Sequence, residues 1–195
     1  MHGLINRALE CFVRDTHGQA VWLQIARDAG LPHVTYEAML TYDFSETVAV
    51  LTALCRRLGR PIEDILEDSG LYLVSHPNTR ALRRLLRFGG GSFVEFLHTL
   101  DELPDWARMA VDDLELPALQ LCEQADGRFT LLVHFPREGF GWVIMGLLRA
   151  MADDYGALVI LSHEGFADGV ERIGIELIEA AHSRGRQFSL GAGGA

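Results

Sequence analysis

The sequence predicts an α+β protein in which an N-terminal helical part packs with a C-terminal four-stranded antiparallel sheet and one long helix. Three observations lead there. Apolar residues recur at helical spacing through roughly the first hundred residues. From Pro117 onward they alternate with polar ones, as on a half-buried strand. Between the alternating segments, residues 141–155 form one helical stretch with Trp142, Met145, Leu148 and Ala152 on a single side.

Each element has its own local signal. Leu4, Ile5, Leu9, Phe12 and Val13 form one helical stripe and residues 21–29 a second, which Gly30-Leu31-Pro32 ends. Asp43 or Ser45 is placed to cap a third helix, residues 48–58 supply its apolar run, and Gly59 stops it. Pro61 suits the first position of the fourth. At Ser75-His76-Pro77 the proline removes a backbone donor and disfavours helix just before it, so a break is expected there, with residues 78–88 as a separate helical piece. After Gly89-Gly90-Gly91, Ser92 caps a helix whose Phe93, Phe96, Leu97, Leu100 and Leu103 trace one face, and Pro104 is expected to interrupt it. Residues 118–123 and 129–133, joined by Asp126-Gly127, read as an antiparallel hairpin. Residues 158–162 and 169–178 complete the four strands, although positions 176–180 would also suit a helix. One domain over residues 1–182 is expected, with 1–60 as a helical part and 61–182 forming the pocket, and the glycine-rich 183–195 as a flexible tail.

Composition removes several functions. With 195 residues, 49% hydrophobic and 23% charged, the chain can fill one large core. A formal net charge of −10 opposes the counterion displacement that nucleic-acid binding needs, so nucleic acid is not an expected partner. Arg80, Arg83, Arg84 and Arg87 share a helical face and read as solvated charge, as do the adjacent pairs Asp112-Asp113 and Asp153-Asp154. Cys11, Cys55 and Cys122 are too dispersed for a zinc motif and are expected to be reduced, mostly buried thiols. The N-terminus reads as an amphipathic helix rather than a signal peptide, and no apolar run approaches the roughly 18 residues of a membrane span, so a cytoplasmic protein is expected. No nucleophile elbow, phosphate-cradling glycine loop, HExxH or convincing carboxylate pair points to an enzyme.

Several short segments occur in order: Met1-His2-Gly3-Leu4-Ile5-Asn6, Tyr42-Asp43-Phe44-Ser45-Glu46, Phe96-Leu97 with Leu100-Asp101-Glu102-Leu103, Pro117, and Arg137-Glu138-Gly139-Phe140. Together they resemble the H-NOX (heme nitric oxide/oxygen-binding) family. The resemblance implies the H-NOX fold, a heme pocket, nitric oxide sensing and signal transduction. It also implies a cytoplasmic signalling partner, either a histidine kinase or a cyclic-dinucleotide enzyme. The departures fall on the chemistry. Pro104 stands where the family carries the iron-ligating histidine, and proline has no donor atom for a metal. The family's propionate-gripping Y-x-S-x-R reads here as Val133-His134-Phe135-Pro136-Arg137, which keeps the arginine alone.

By position, the resemblance implies a pocket lined by Ile5, Leu9, Leu100, Leu103, Pro104, Pro117, Leu119, Val133, Phe135, Arg137, Trp142 and Gly146. No histidine is placed as an obvious replacement ligand. On a continuous helix His98 would point about 240° round from Pro104, and His134 alternates away from Val133 and Phe135. His76, beside Pro77, is the candidate metal ligand, approaching the pocket from the distal side; His2, His17, His33, His163 and His182 are assigned no role. Two functions stay open: a sensory domain whose hydrophobic pocket takes heme or another apolar ligand, and a heme-free protein-interaction module in the same fold.

Overall fold

The computed structural model describes residues 1–181; the expected tail and His182 lie outside the described residues. Helices α1 (Gly3–His17), α2 (Gln19–Asp28), α3 (Phe44–Leu58) and α4 (Ile62–Ser75) form an N-terminal bundle. Its core gathers Phe12, Val13, Trp22, Ile25, Val50, Leu54, Ile65 and Tyr72. The predicted caps are in place. Asp43 accepts the Ser45 amide at 2.7 Å, and Gly59 closes α3 in the left-handed region at φ 64°. Next to the Asp43 cap, where His2 is bridged to Thr41, the His2 ring accepts the Leu4 amide and so caps α1, while its Nε2 lies 3.1 Å from Asp113 Oδ1.

The chain breaks at His76 as expected, passes through a 3-10 turn at Pro77–Thr79 and resumes in α5 (Arg80–Arg87). Beyond it the helix expected over residues 93–103 is divided. Helix α6 (Phe93–Leu97), capped by Ser92, is followed by a 3-10 turn at Leu100–Glu102 and then by α7 (Leu103–Ala110). Pro104 therefore opens a helix rather than interrupting one. In the first turn a missing amide hydrogen costs nothing, and its fixed φ suits helix entry.

Strands β1 (Ala118–Glu123) and β2 (Arg128–His134) form the predicted hairpin, turning through Asp126 at φ 62° and Gly127 at φ 70°. Helix α8 (Phe140–Tyr155) then crosses the sheet, and β3 (Leu158–Ala167) and β4 (Val170–Glu179) follow. All four strands are antiparallel in the order β1-β2-β4-β3. Both final strands outrun expectation: β3 continues to Ala167, and β4 stays extended to Glu179, where pairing of Leu158 with Glu179 overrides the helical preference of its end.

The inner face of the sheet, α6 and α8 enclose the second core, which includes Phe93, Phe96, Leu97, Leu131, Leu148, Met151, Ile173 and Ile175. The two cores meet where α4 crosses α8. Gly70 on α4 and Gly146 on α8 make the crossing possible, since a Cβ on Gly70 would lie 1.9 Å from the Val143 carbonyl oxygen and one on Gly146 would lie 1.9 Å from that of Glu67.

Two charged groups thought to lie on the surface are structural. Arg83 forms a two-pronged ion pair with the buried Asp154 at the end of α8, and the Arg87 guanidinium sits 3.9 Å over the Tyr155 ring. This pinning of α5 to α8 corrects the expectation of solvated charge at Arg83 and Arg87, while Arg80 and Arg84 are exposed as expected. Asp113, bound to His2, is likewise more than free surface charge.

Candidate functional site

The predicted pocket residues divide among several places. Leu100, Leu119 and Val133 meet in the second core, with Leu103 and Trp142 packed at its margin. Leu100 comes from the 3-10 turn before α7, Leu119 from β1 and Val133 from β2, where strand alternation turns positions 129, 131 and 133 inward. Leu100 and Val133 are 0% exposed and Leu119 is 8% exposed. A side chain with no accessible surface borders no space wide enough for a water molecule, so Leu100 and Val133 are in contact with protein on all sides. Pro104 and Pro117 are buried beside the same segments.

The other candidates lie elsewhere. Leu9 packs with the N-terminal bundle rather than this core, and Ile5, one turn earlier on α1, is half-buried. Gly146 is at the α4–α8 crossing, against the Glu67 carbonyl. Phe135 makes an edge contact with Phe140 at 4.6 Å. Arg137 is exposed, and its guanidinium lies 4.4 Å over the ring of Phe44 at the start of α3. A cation over an aromatic face is an interaction in its own right, so Arg137 serves the bundle in this structure.

His76 stacks on Tyr72 with ring centres 4.8 Å apart, and its Nδ1 is 3.6 Å from Asp15 Oδ2. Tyr72 also donates to Asp15 at 2.6 Å, and Asn78 donates to the same oxygen at 2.9 Å. Burial, with the hydrogen bond to Asp15, drives the Tyr72 hydroxyl far above its usual range, while that bond holds Asp15 below the usual carboxylate range. This cluster borders a cleft of about 300 Å³ between α1 and α4, lined by residues such as Leu4, Arg7, Cys11 and Leu73 and by none of the predicted pocket residues. His98 is half-exposed near Glu123, and the division of its helix removes the angular relation to Pro104. Among the described residues, no group of three or more His, Cys, Asp or Glu side chains could hold a metal ion. The three cysteines are free and half-buried.

Sequence reasoning missed a buried polar group next to Val133. Glu171 on β4 is the direct cross-strand partner of Val133 and is 0% exposed. Its Oε2 accepts the Gly139 and Gly141 amides, each at 3.0 Å, at the head of α8. His163 Nε2 lies 3.1 Å from its Oε1, and the His163 ring stacks on Trp142 at 4.1 Å. The Gly165 amide donates to His163 Nδ1, which leaves the proton on Nε2, facing the carboxylate. The signal was present in the sequence: Glu171 shares strand parity with Ile173 and Ile175, which face the core.

A second buried carboxylate, Glu10, organises the bundle. It accepts from Arg7, Arg14, the Thr35 hydroxyl and the Tyr36 amide at 2.6 to 2.9 Å. Burial pushes its pKa up, but the Tyr36 amide, Thr35, Arg14 and Arg7 outweigh burial and hold it below the ordinary value.

The haem-NO-binding family model matches residues 2–163. The chain belongs to the H-NOX family. H-NOX proteins of known structure share its fold: one from S. oneidensis in the Fe(II)NO ligation state superposes with a TM-score of 0.76 at 21% identity, over 91% of this chain and 99% of that one. The unliganded Fe(II) H-NOX protein from K. algicida gives the same score at 20% identity, over 94% of this chain and all of that one. Among curated relatives, soluble guanylate cyclase gcy-31 of Caenorhabditis elegans is 23% identical over 158 residues, 79% of this chain and 22% of that protein. The beta-2 subunit of rat soluble guanylate cyclase is 29% identical over 114 residues, 58% of this chain and 17% of that subunit. The chain thus spans about a fifth of the length of these relatives. The H-NOX domain is a sensory, heme-binding domain in the family at large, not a catalytic one. Among the described residues, no helix is long and apolar enough to cross a membrane.

Proposed function

We propose that this chain is a signalling domain of the H-NOX family that works without a ligated heme, as a cytoplasmic protein-interaction module. The observation that carries the reading is the buried Pro104, in the position that the sequence resemblance assigns to the iron-binding histidine. Proline offers no nitrogen lone pair, and iron in this family depends on an axial imidazole.

The rest of the site does not fit heme either. Leu100 and Val133 border no free space. Val133 and Phe135 lack the hydroxyls of the propionate motif, and Arg137 is engaged with Phe44. His76 is tied to Tyr72 and Asp15, on the side of the N-terminal bundle. One arginine, even if released, supplies about 1.5–3 kcal/mol, which does not replace an iron–nitrogen bond.

The partner in this reading is a cytoplasmic signalling enzyme, a histidine kinase or a cyclic-dinucleotide or cyclic-nucleotide enzyme. The similarity to one segment of soluble guanylate cyclases supports that class. The test is expression with a supply of heme precursor, followed by an absorption spectrum and circular dichroism of the purified protein. A folded, colourless protein is expected. A Soret band in proportion to protein would overturn the reading, and apolar material extracted from colourless protein would redirect it to a different ligand.

A further inference from the structure

We propose that Glu171 is a built-in occupant of an anion cradle at the head of α8, and that its carboxylate keeps acidic ligands, heme propionates among them, away from the apolar wall at Val133. The proposal deepens the heme-independent reading and rests on it. The cradle has three donors: the Gly139 and Gly141 amides on one carboxylate oxygen and His163 Nε2 on the other. Gly139 is the N-cap of a helix of 16 residues and Gly141 lies in its first turn, where unsatisfied N–H groups and the helix dipole favour negative charge.

Two further observations show a site built around a carboxylate. Gly141 leaves room for this close approach, since a Cβ there would lie 2.5 Å from Glu171 Oε1 and 3.1 Å from its Cβ. His163, whose side chain is 5% exposed, is held by stacking on Trp142 and by the Gly165 amide, so its donor is aimed before any ligand arrives. An ionised carboxylate taken out of water costs several kcal/mol unless its lone pairs are met, and here they are met from within the chain. A second carboxylate brought to the same wall finds its donors taken and a like charge in their place. Val133 and Glu171 are direct cross-strand partners on the inner face, a separation of about 5 Å between Cβ atoms.

Glu171 at the propionates thus adds a barrier to heme that is separate from Pro104 at the iron. Two experiments on the full chain test the second barrier. In the first, Glu171→Ala is unfolded thermally in sodium acetate and in sodium chloride of equal ionic strength. Acetate is expected to raise the melting temperature of the variant and leave the wild type unmoved; a folded variant that responds alike to both salts overturns the proposal. The second uses Glu171→Gln, which retains the shape and an acceptor oxygen, and keeps the question answerable should the alanine variant not fold. Hemin is titrated into Pro104→His alone and into Pro104→His with Glu171→Gln. The double variant is expected to bind about tenfold more tightly or better, the scale of one removed like charge. Equal affinity in the two, or no hemin binding by either, overturns the proposal. Failure of the underlying reading looks different, because stoichiometric hemin uptake by the wild type would defeat it whatever acetate does.

Discussion

Replacing Gly146 with alanine sets two effects of opposite sign against each other. In the interior of a helix, alanine is favoured over glycine by about 1 kcal/mol. At this position, however, the new Cβ would lie 1.9 Å from the Glu67 carbonyl oxygen and 2.7 Å from the Leu71 amide nitrogen. Contacts under 3.0 Å do not occur at real Cβ atoms, and the obstacles are backbone, which cannot rotate away. Helices α4 and α8 must therefore part by about 1 Å, and a gap of that size forfeits up to about half of the attraction of every atom pair across it. Forced overpacking alone costs about 1–3 kcal/mol, and here one crossing joins the two cores. We predict that Gly146→Ala lowers unfolding free energy by about 3 kcal/mol, a loss that exceeds the propensity gain. The assay is urea denaturation followed by circular dichroism at constant m-value. An unchanged or higher midpoint would refute the close-crossing argument.

Two other outcomes follow from the same structure. Leu100→Ala removes a side chain with no accessible surface and is expected to cost about 2–5 kcal/mol in the same assay; a loss under about 1 kcal/mol would mean that the wall is loose and can collapse. Glu10 has a folded pKa below its ordinary 4.5, so it binds fewer protons folded than unfolded, and its contribution is complete above about pH 4.5 and lost as pH falls through the lower folded value. Glu10→Gln should therefore flatten the fall in urea midpoint below about pH 4.5, and parallel wild-type and variant profiles would contradict the assignment.

Most of the fold was legible because local signals agreed with tertiary packing. Asp43, Gly59, Ser92 and the Asp126-Gly127 turn each act over a few residues, and the structure uses all of them as the sequence suggests. Pro104 was misjudged because a proline that breaks a helix interior is welcome in a first turn, and local sequence does not state which applies. The ends of β3 and β4 depended on pairing between strands. Of the site, the apolar wall of Leu100, Leu119 and Val133 could be anticipated from position, whereas Arg137 could not be placed, since its Phe44 partner lies 93 residues away in sequence. The buried carboxylates escaped because acidic residues default to the surface. Their spacing argued otherwise: Glu10 lies one turn from Asn6 and Val13, Asp154 one turn from Ala150 and Met151, and Glu171 two residues from Ile173, all buried.

We propose that this H-NOX domain does not hold heme, because Pro104 stands where the iron-binding histidine is expected. The most direct test is titration of the purified wild-type chain with hemin, followed in the Soret region and compared with hemin in buffer alone. No saturable change is expected, and the spectrum should remain that of free hemin. A sharp Soret band that saturates at one hemin per chain would contradict the proposal.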